Sequence, residues 1–406
     1  MNAMIFPGLI FRKRTLARRF AGAILALTLA LASTPLAYSQ QEAQPASNRA
    51  TPIPATEFSR MVQEFSEPEG DFDSDNFTSN ETSYLHVVGK LKELGITGGA
   101  YLGVAPEQNF TYIAKIRPRI AFIVDIRRQA MIQHLFYKAI FHRAKNRAEF
   151  LSLLFSKPLP DPAETGDSLE GLLNYIRKTP AGREAFLANL AAIRKTIEEN
   201  FRFPLSSQDA QSLEYVCTAF WRGSLSIGTR GFSYGRWRFP TLGDLIVATD
   251  LNGKRGNFLA QEEDYQFVRN LQEQNRVIPV VGDFAGAKAF TAVANYLRKN
   301  GYTVSAFYTS NVEQYLYGNE VFGRFAENVA KLPISDRSVF IRAVRGGGGL
   351  HPASVPGYRM ITLLQKISVF LEDYPEGLYP DYWRLVTTHY IAGVEPRKEV
   401  SPSAAP

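Results

Sequence analysis

The chain has a single cysteine, Cys217, among 406 residues. No intrachain disulfide can form, and a zinc site built on cysteines is excluded. The five histidines, at 86, 134, 142, 351 and 389, show no ligand spacing. His134 and His142 share one predicted helix but would stand about 12 Å apart by helical rise, too far to share an ion. No metal is expected. Net charge is scarce too. The formal value is +7, but residues 1–39 hold five basic side chains and no acid, so the rest of the chain carries 7 − 5 = +2. That is no electrostatic footprint for nucleic acid. No apolar run reaches the roughly 20 residues of a comfortable membrane span. No internal repeat recurs at a fixed period.

What is present at the N-terminus reads as targeting. Arg12, Lys13, Arg14, Arg18 and Arg19 precede the short apolar run "FAGAILALTLALA", and Pro35 and Ala37-Tyr38-Ser39 follow. This is the pattern of a secretory signal over 1–39, which predicts a periplasmic or extracellular protein. An uncleaved membrane anchor is the alternative. Residues 40–55, rich in Pro, Ala and Gln, predict a flexible tether, with order beginning near Thr56. The tail, 396–406, is expected to be disordered. Between them, 45% hydrophobic and 12% aromatic content supports a large core.

The ordered part divides into three. In 56–144, residues 85–94 predict a helix ended by Gly95, and 100–104 and 120–125 are short apolar runs read as buried strands. Residues 110–115 and 127–143 read as helices. The middle, 145–275, is mostly helical and reads as an insertion or lid. The last part, 276–395, alternates again: strands at 277–282, 303–308 and 338–344, helices at 285–300 and 321–331, and a final strand in "WRLVTTHYIAG". Alternation predicts an α/β fold, a Rossmann-like, mainly parallel sheet with a largely helical insertion. "DLIVATD", 244–250, is the candidate for a further strand within the insertion.

The stretch "YLGVAPEQNFTYIAKIRPRIAFIVD" has the order strand, loop, helix, strand, acid. Gly103 and Asp125 lie 22 residues apart, which fits a glycine loop followed by a ribose-binding acid. Two further glycines of that motif are missing. Ala105 and Gln108 hold their positions, and Pro106 removes a backbone donor. A pyrophosphate cradle is excluded on that ground. The alternative role for Asp125 and for Asp283 is to cap the helix that follows each. In "DSDNFTSNETSY", Ser79, Asn80 or Thr82 could cap the helix at 85–94, or the segment could be a flap with Asn80 and Glu81 on a ligand.

This arrangement resembles class I S-adenosylmethionine-dependent methyltransferases, over about 85–145 and 275–345. Together with "DNFTSNETSYLH" and "SNVEQYL", it is also similar to bacterial exported proteins with a methyltransferase-like core. The resemblance implies S-adenosylmethionine as a small-molecule ligand across Gly103, Ala105, Glu107, Asp125 and Asp283. Asp283, in "VVGDFAG", would end the fourth strand, and "SAFYTSNVEQY" would hold the place of the fifth strand and its loop. Asn311, Glu313 and Tyr315 would then face the acceptor side. Methyl transfer requires alignment more than any signature residue, so no catalytic residue is singled out. Two readings stay open: a methyltransferase of unknown acceptor, and an exported binding protein that keeps the fold without the reaction.

Two other patterns compete. Gly231-Phe232-Ser233-Tyr234-Gly235 matches the nucleophile elbow of serine hydrolases, but "RWRFP" follows it rather than a helical pattern. Aromatic and arginine residues alternate from Trp221 to Trp237, a surface suited to an envelope glycan or anionic polymer, or to packing as a lid. "RGGGGLH", 345–351, reads as a mobile loop.

Overall fold

The computed structural model describes residues 51–166, 168–229, 239–345 and 351–393. The expected export signal, the start of the expected tether, Ser233 with its candidate elbow, Trp237, the glycines of 346–349 and the tail after 395 lie outside these residues.

The chain begins with α1 (Ala55–Phe65), α2 (Val88–Glu93), β1 (Ala100–Gly103), α3 (Gln108–Ile116), β2 (Ile120–Asp125) and α4 (Arg128–Arg143). A helical stretch follows: α5 (Arg147–Phe155), α6 (Pro162–Thr165), α7 (Leu169–Lys178), α8 (Arg183–Lys195), α9 (Ser207–Gly223), α10 (Leu242–Val247) and α11 (Glu262–Glu273). The sheet resumes with β3 (Val277–Val281), α12 (Ala289–Lys299), β4 (Val304–Ser310), α13 (Val312–Gly318), α14 (Phe322–Ala330) and β5 (Val339–Arg345). It ends with β6 (Met360–Lys366), α15 (Ile367–Asp373), α16 (Tyr382–Thr387) and β7 (Ile391–Ala392).

The seven strands form one mixed sheet in the order β3-β2-β1-β4-β5-β6-β7. β3, β2, β1, β4 and β5 are parallel, and β6 and β7 each run antiparallel to the neighbour before them. Every residue of β1, β2 and β3 is buried, so both faces of that half are covered, as a parallel sheet requires. The expected α/β class with a mainly parallel sheet is what the chain forms.

Several expectations need correction. "DLIVATD" is not a strand: Thr241 and Asp244 form a reciprocal capping box that starts α10. The third strand is instead β3, beside β2, so Asp283 follows the third strand and not the fourth. The fourth is β4, and the "SAFYTSNVEQY" segment supplies it. "WRLVTTHYIAG" contributes α16 and only the two-residue β7. Residues 51–55, expected in a tether, are fastened to the fold at Ile53, while Thr51, Pro52 and Pro54 are exposed. Ile53 is buried and its amide donates to the carbonyl of Gln274 at 3.0 Å. Among the described residues no helix is long and apolar enough to cross a membrane.

Candidate functional site

Sheet order reverses beside β1, whose neighbours β2 and β4 lead the chain to opposite sides. The loops leaving β1 and β4 therefore diverge and open a crevice at the carboxyl edge.

The β1 loop is built around Asn109. This fully buried side chain donates to the carbonyls of Val104, Ala105 and Pro106 at 2.8, 2.9 and 2.7 Å and accepts from the Tyr101 hydroxyl at 2.9 Å. Gly103 is required by that packing, since a Cβ there would lie 2.0 Å from Asn109 Oδ1. Ala105 has φ +65°. It holds the left-handed backbone that glycine adopts most readily, at the position where the motif would place its second glycine. His134 Nε2 donates to the Ala105 carbonyl at 2.9 Å. Burial pushes the ring down to about 4, so it is neutral with its proton on Nε2.

Asp125 ends β2 and is engaged by Arg127. Its Oδ1 accepts from the Arg127 amide and Nε, both at 3.0 Å, and its Oδ2 from Nη2 at 2.9 Å. Burial opposes ionisation, but the guanidinium charge and these bonds hold the carboxyl below its ordinary value. Asp125 does not cap α4: the N-cap is Arg127, without a side-chain bond. Arg127 Nη1 also donates to the carbonyls of Ser74 and Asp75, both at 2.8 Å. The guanidinium thereby straps residues 70–82 across the crevice. None of Ser79, Asn80 or Thr82 caps α2, whose N-cap is Val87.

Asp283 folds back on the β3 loop, accepting from the Ala285 amide at 2.9 Å. The N-cap of α12 is Lys288, so Asp283 is no cap either. Glu67 takes the anion's place at that helix start, accepting from the amides of Lys288 and Ala289 at 2.6 Å each.

Two cavities flank the strap. One, about 370 Å³, is lined by Asp71, Asp73, Asp125 and Asp283, with Arg127 as its one cation among the described residues. The other, about 420 Å³, reaches Thr78, Asn80, Glu81, Tyr308, Arg345 and Arg359. Phe72, Asn76, Ala105, Ser310, Asn311 and Tyr315 border both. The rings of Phe72 and Tyr315 meet edge to face at 5.5 Å. Ser310 has φ +54° and Asn76 φ +41°, so three non-glycine residues in the left-handed region surround the crevice.

The crevice thus gathers Ala105, Asp125, Asp283, Asn311 and Tyr315 of the residues expected from sequence, with Asn80 and Glu81 in the second cavity. Gly103 lies beneath the loop. Glu107 is buried behind it: Oε1 accepts from the Ser79 amide at 3.3 Å and Oε2 has no partner. Glu313 does not face the crevice. It is fully buried in an ion pair with Arg342, Nε to Oε2 at 2.8 Å. Glu81 is a floor residue rather than a flap. Its carboxylate accepts from Ser310 Oγ and from Gln108 Nε2 at 2.9 Å, and burial pushes it up. Trp221 stacks on Phe186 at 4.5 Å, and the rest of that aromatic and arginine run, residues 230–238, lies outside the described residues. Sequence reasoning missed Phe72, Asn76, Arg127 and Ser310. The acid-rich run "DFDSD" was the available signal for the strap. Among the described residues no three His, Cys, Asp or Glu side chains converge on a metal-sized site.

Fold and crevice together define an α/β protein with a mostly parallel mixed sheet and a crevice at the carboxyl edge of that sheet. The chain belongs to the family described as domain of unknown function (DUF7790), which matches residues 76–214 and 182–374. No curated protein matches it.

Proposed function

We propose that the sheet is a Rossmann-like fold of the methyltransferase type and that the acidic cavity takes S-adenosylmethionine, for transfer of its methyl group to a small acceptor. One observation carries this reading: among the described residues, Asp71, Asp73, Asp125 and Asp283 share a cavity with a single cation, Arg127, at the switch point of the sheet. Such a wall repels phosphates and favours a positively charged nucleoside. The cavity volume lies in the range of small-ligand sites, about 300–1,000 Å³. Bound there, the ligand supplies an electrophilic methyl group.

The chain's own part is to bind and align. Asp125 Oδ2 accepts one bond and keeps a lone pair for a ribose hydroxyl. Ser310 and Asn311 stand at the end of the fourth strand, where the resemblance puts the polar residue next to the methyl donor. Phe72 and Tyr315 help exclude water. Alignment is the main chemical demand of such a transfer.

A second reading, binding on the same fold without reaction, is favoured by the engagement of Asp125 with Arg127. The N-terminal export signal points the same way, because S-adenosylmethionine is made in the cytoplasm. Calorimetric titration with S-adenosylmethionine, S-adenosylhomocysteine and ATP tests the ligand. S-adenosylmethionine should bind most tightly, and Asp283→Asn should weaken it about five- to tenfold, the effect of about 1 kcal/mol of lost attraction. Preference for ATP, or no binding of S-adenosylmethionine at millimolar concentration, would overturn the cofactor assignment.

A further inference from the structure

The second cavity is built unlike the first, because the charged groups in its lining are already engaged. Asp244 belongs to the α10 capping box, where its Oδ2 accepts from the amide and hydroxyl of Thr241 at 2.8 and 2.7 Å. Arg345 and Arg359 have interactions of their own within the protein. Glu81 is buried, its carboxyl accepts from Ser310 Oγ and Gln108 Nε2, and burial pushes it up, away from a fixed negative charge. What is left to a ligand is neutral. Thr78 is 1% exposed and its hydroxyl has no partner among the described residues. An unsatisfied buried hydroxyl is costly unless a ligand or water completes it. Asn80 and Thr82, farther along the strap and half-buried, also make no side-chain hydrogen bond among the described residues. Pro106 and Phe239 add apolar surface to the same lining.

We propose that this cavity binds a neutral monosaccharide, its hydroxyls on Thr78, Asn80 and Thr82 and a C–H face of its ring on Pro106 and Phe239. Sugar hydroxyls both donate and accept, as hydroxyl and amide side chains do, so each pair can form in either sense. The C–H groups of a pyranose ring gain by leaving water for an apolar wall. A charged ligand would find no open counter-charge here, and an unpaired ion is costly to bury. The volume, about 420 Å³, lies within the range of small-ligand sites. The site is separate from the acidic cavity and does not depend on what occupies that one.

The test is calorimetric or ligand-detected NMR titration of the purified protein with glucose, galactose and N-acetylglucosamine. Glucuronate serves as the charged counterpart, and tetrahydropyran-2-methanol as a ring with a single hydroxyl. At least one of the three sugars should bind saturably, about tenfold or more tighter than either counterpart. Thr78→Val keeps the side-chain shape and removes the hydroxyl. It and the half-buried Asn80→Ala should each weaken that sugar about three- to tenfold, the loss expected for one hydrogen bond. Both should leave the S-adenosylmethionine titration as it is in the unaltered protein. Asp283→Asn, in the acidic cavity, should leave sugar binding unchanged while weakening S-adenosylmethionine, so the two assignments fail separately. No saturable binding of any of the three sugars up to about 10 mM would overturn the proposal. So would equal or tighter binding of glucuronate or of the one-hydroxyl ring, or undiminished sugar binding in either strap variant.

Discussion

Glu107 shows what burial does to one residue next to the site. Its carboxyl is pushed up to about 7 by burial, against weaker support from nearby amides, whereas an unfolded glutamate titrates near 4.3. The folded state thus holds this proton more tightly than the unfolded chain does. The resulting stability is fully present below about pH 4 and is lost as pH rises to about 7. Glu107→Gln should therefore flatten the fall in stability between about pH 4.5 and 7, by up to about 3 kcal/mol. Urea midpoints of the two proteins across that range check it; parallel curves would show that Glu107 ionises normally. Residues of this kind were only half legible. The interval from Gly103 to Asp125 is local and survives in sequence. That Asp125 is gripped by Arg127 depends on a side chain curling back two positions, which no spacing rule encodes. Glu313 was misplaced for the opposite reason: its partner Arg342 is 29 residues away and meets it only when β4 and β5 pair.

That ion pair acts on elements. Arg342 on β5 donates from Nε to both oxygens of Glu313 on α13, at 2.9 and 2.8 Å, and from Nη1 to Gln365 on β6 at 2.5 Å. Thr309 Oγ1 adds a bond to Glu313 Oε2 at 3.0 Å. The network fixes the turn from β4 into α13, where Ser310 and Asn311 border both cavities. Removing one partner leaves a buried charge alone. Arg342→Met should lower stability by about 3–5 kcal/mol, and adding Glu313→Gln should restore part of that loss. Denaturant unfolding of the two single variants and the double variant measures the coupling; additive losses would deny it. Element types were legible where period and length agreed, as in β1, β2, β3 and α4. "DLIVATD" failed because five apolar or β-branched residues suit a strand and a short helix equally. The deciding signal was Thr241 and Asp244, a capping box at three-residue spacing. Once that run is a helix, the strand beside β2 must come from elsewhere, and Asp283 moves from the fourth strand to the third with it.

At the scale of the molecule, the helical stretch from α5 to α11 was legible as a change of composition, but its relation to the sheet was not. A lid would pack lightly and move. Instead, one continuous core runs through both parts. Phe110 of α3 and Phe141 of α4 lie 5.2 Å apart. Phe141 meets Phe150 of α5 at 4.6 Å and Tyr265 of α11 at 5.6 Å, and Phe258 lies 5.5 Å from Phe110. Around this cluster, Lys115 pairs with Asp264 at 2.5 Å and Arg147 with Glu262 at 2.9 Å. Phe258, 2% exposed, sits at the junction. Truncating it opens a cavity shared by α3, α4 and α5, at a cost of about 3–5 kcal/mol. If the helices and the sheet are one cooperative unit, Phe258→Ala should move the whole thermal transition down in temperature and keep it single, with calorimetric and van't Hoff enthalpies equal. Differential scanning calorimetry decides this. A second, earlier transition in the variant, with the sheet's melting unmoved, would mean that the helices come away on their own and that the insertion is a lid after all.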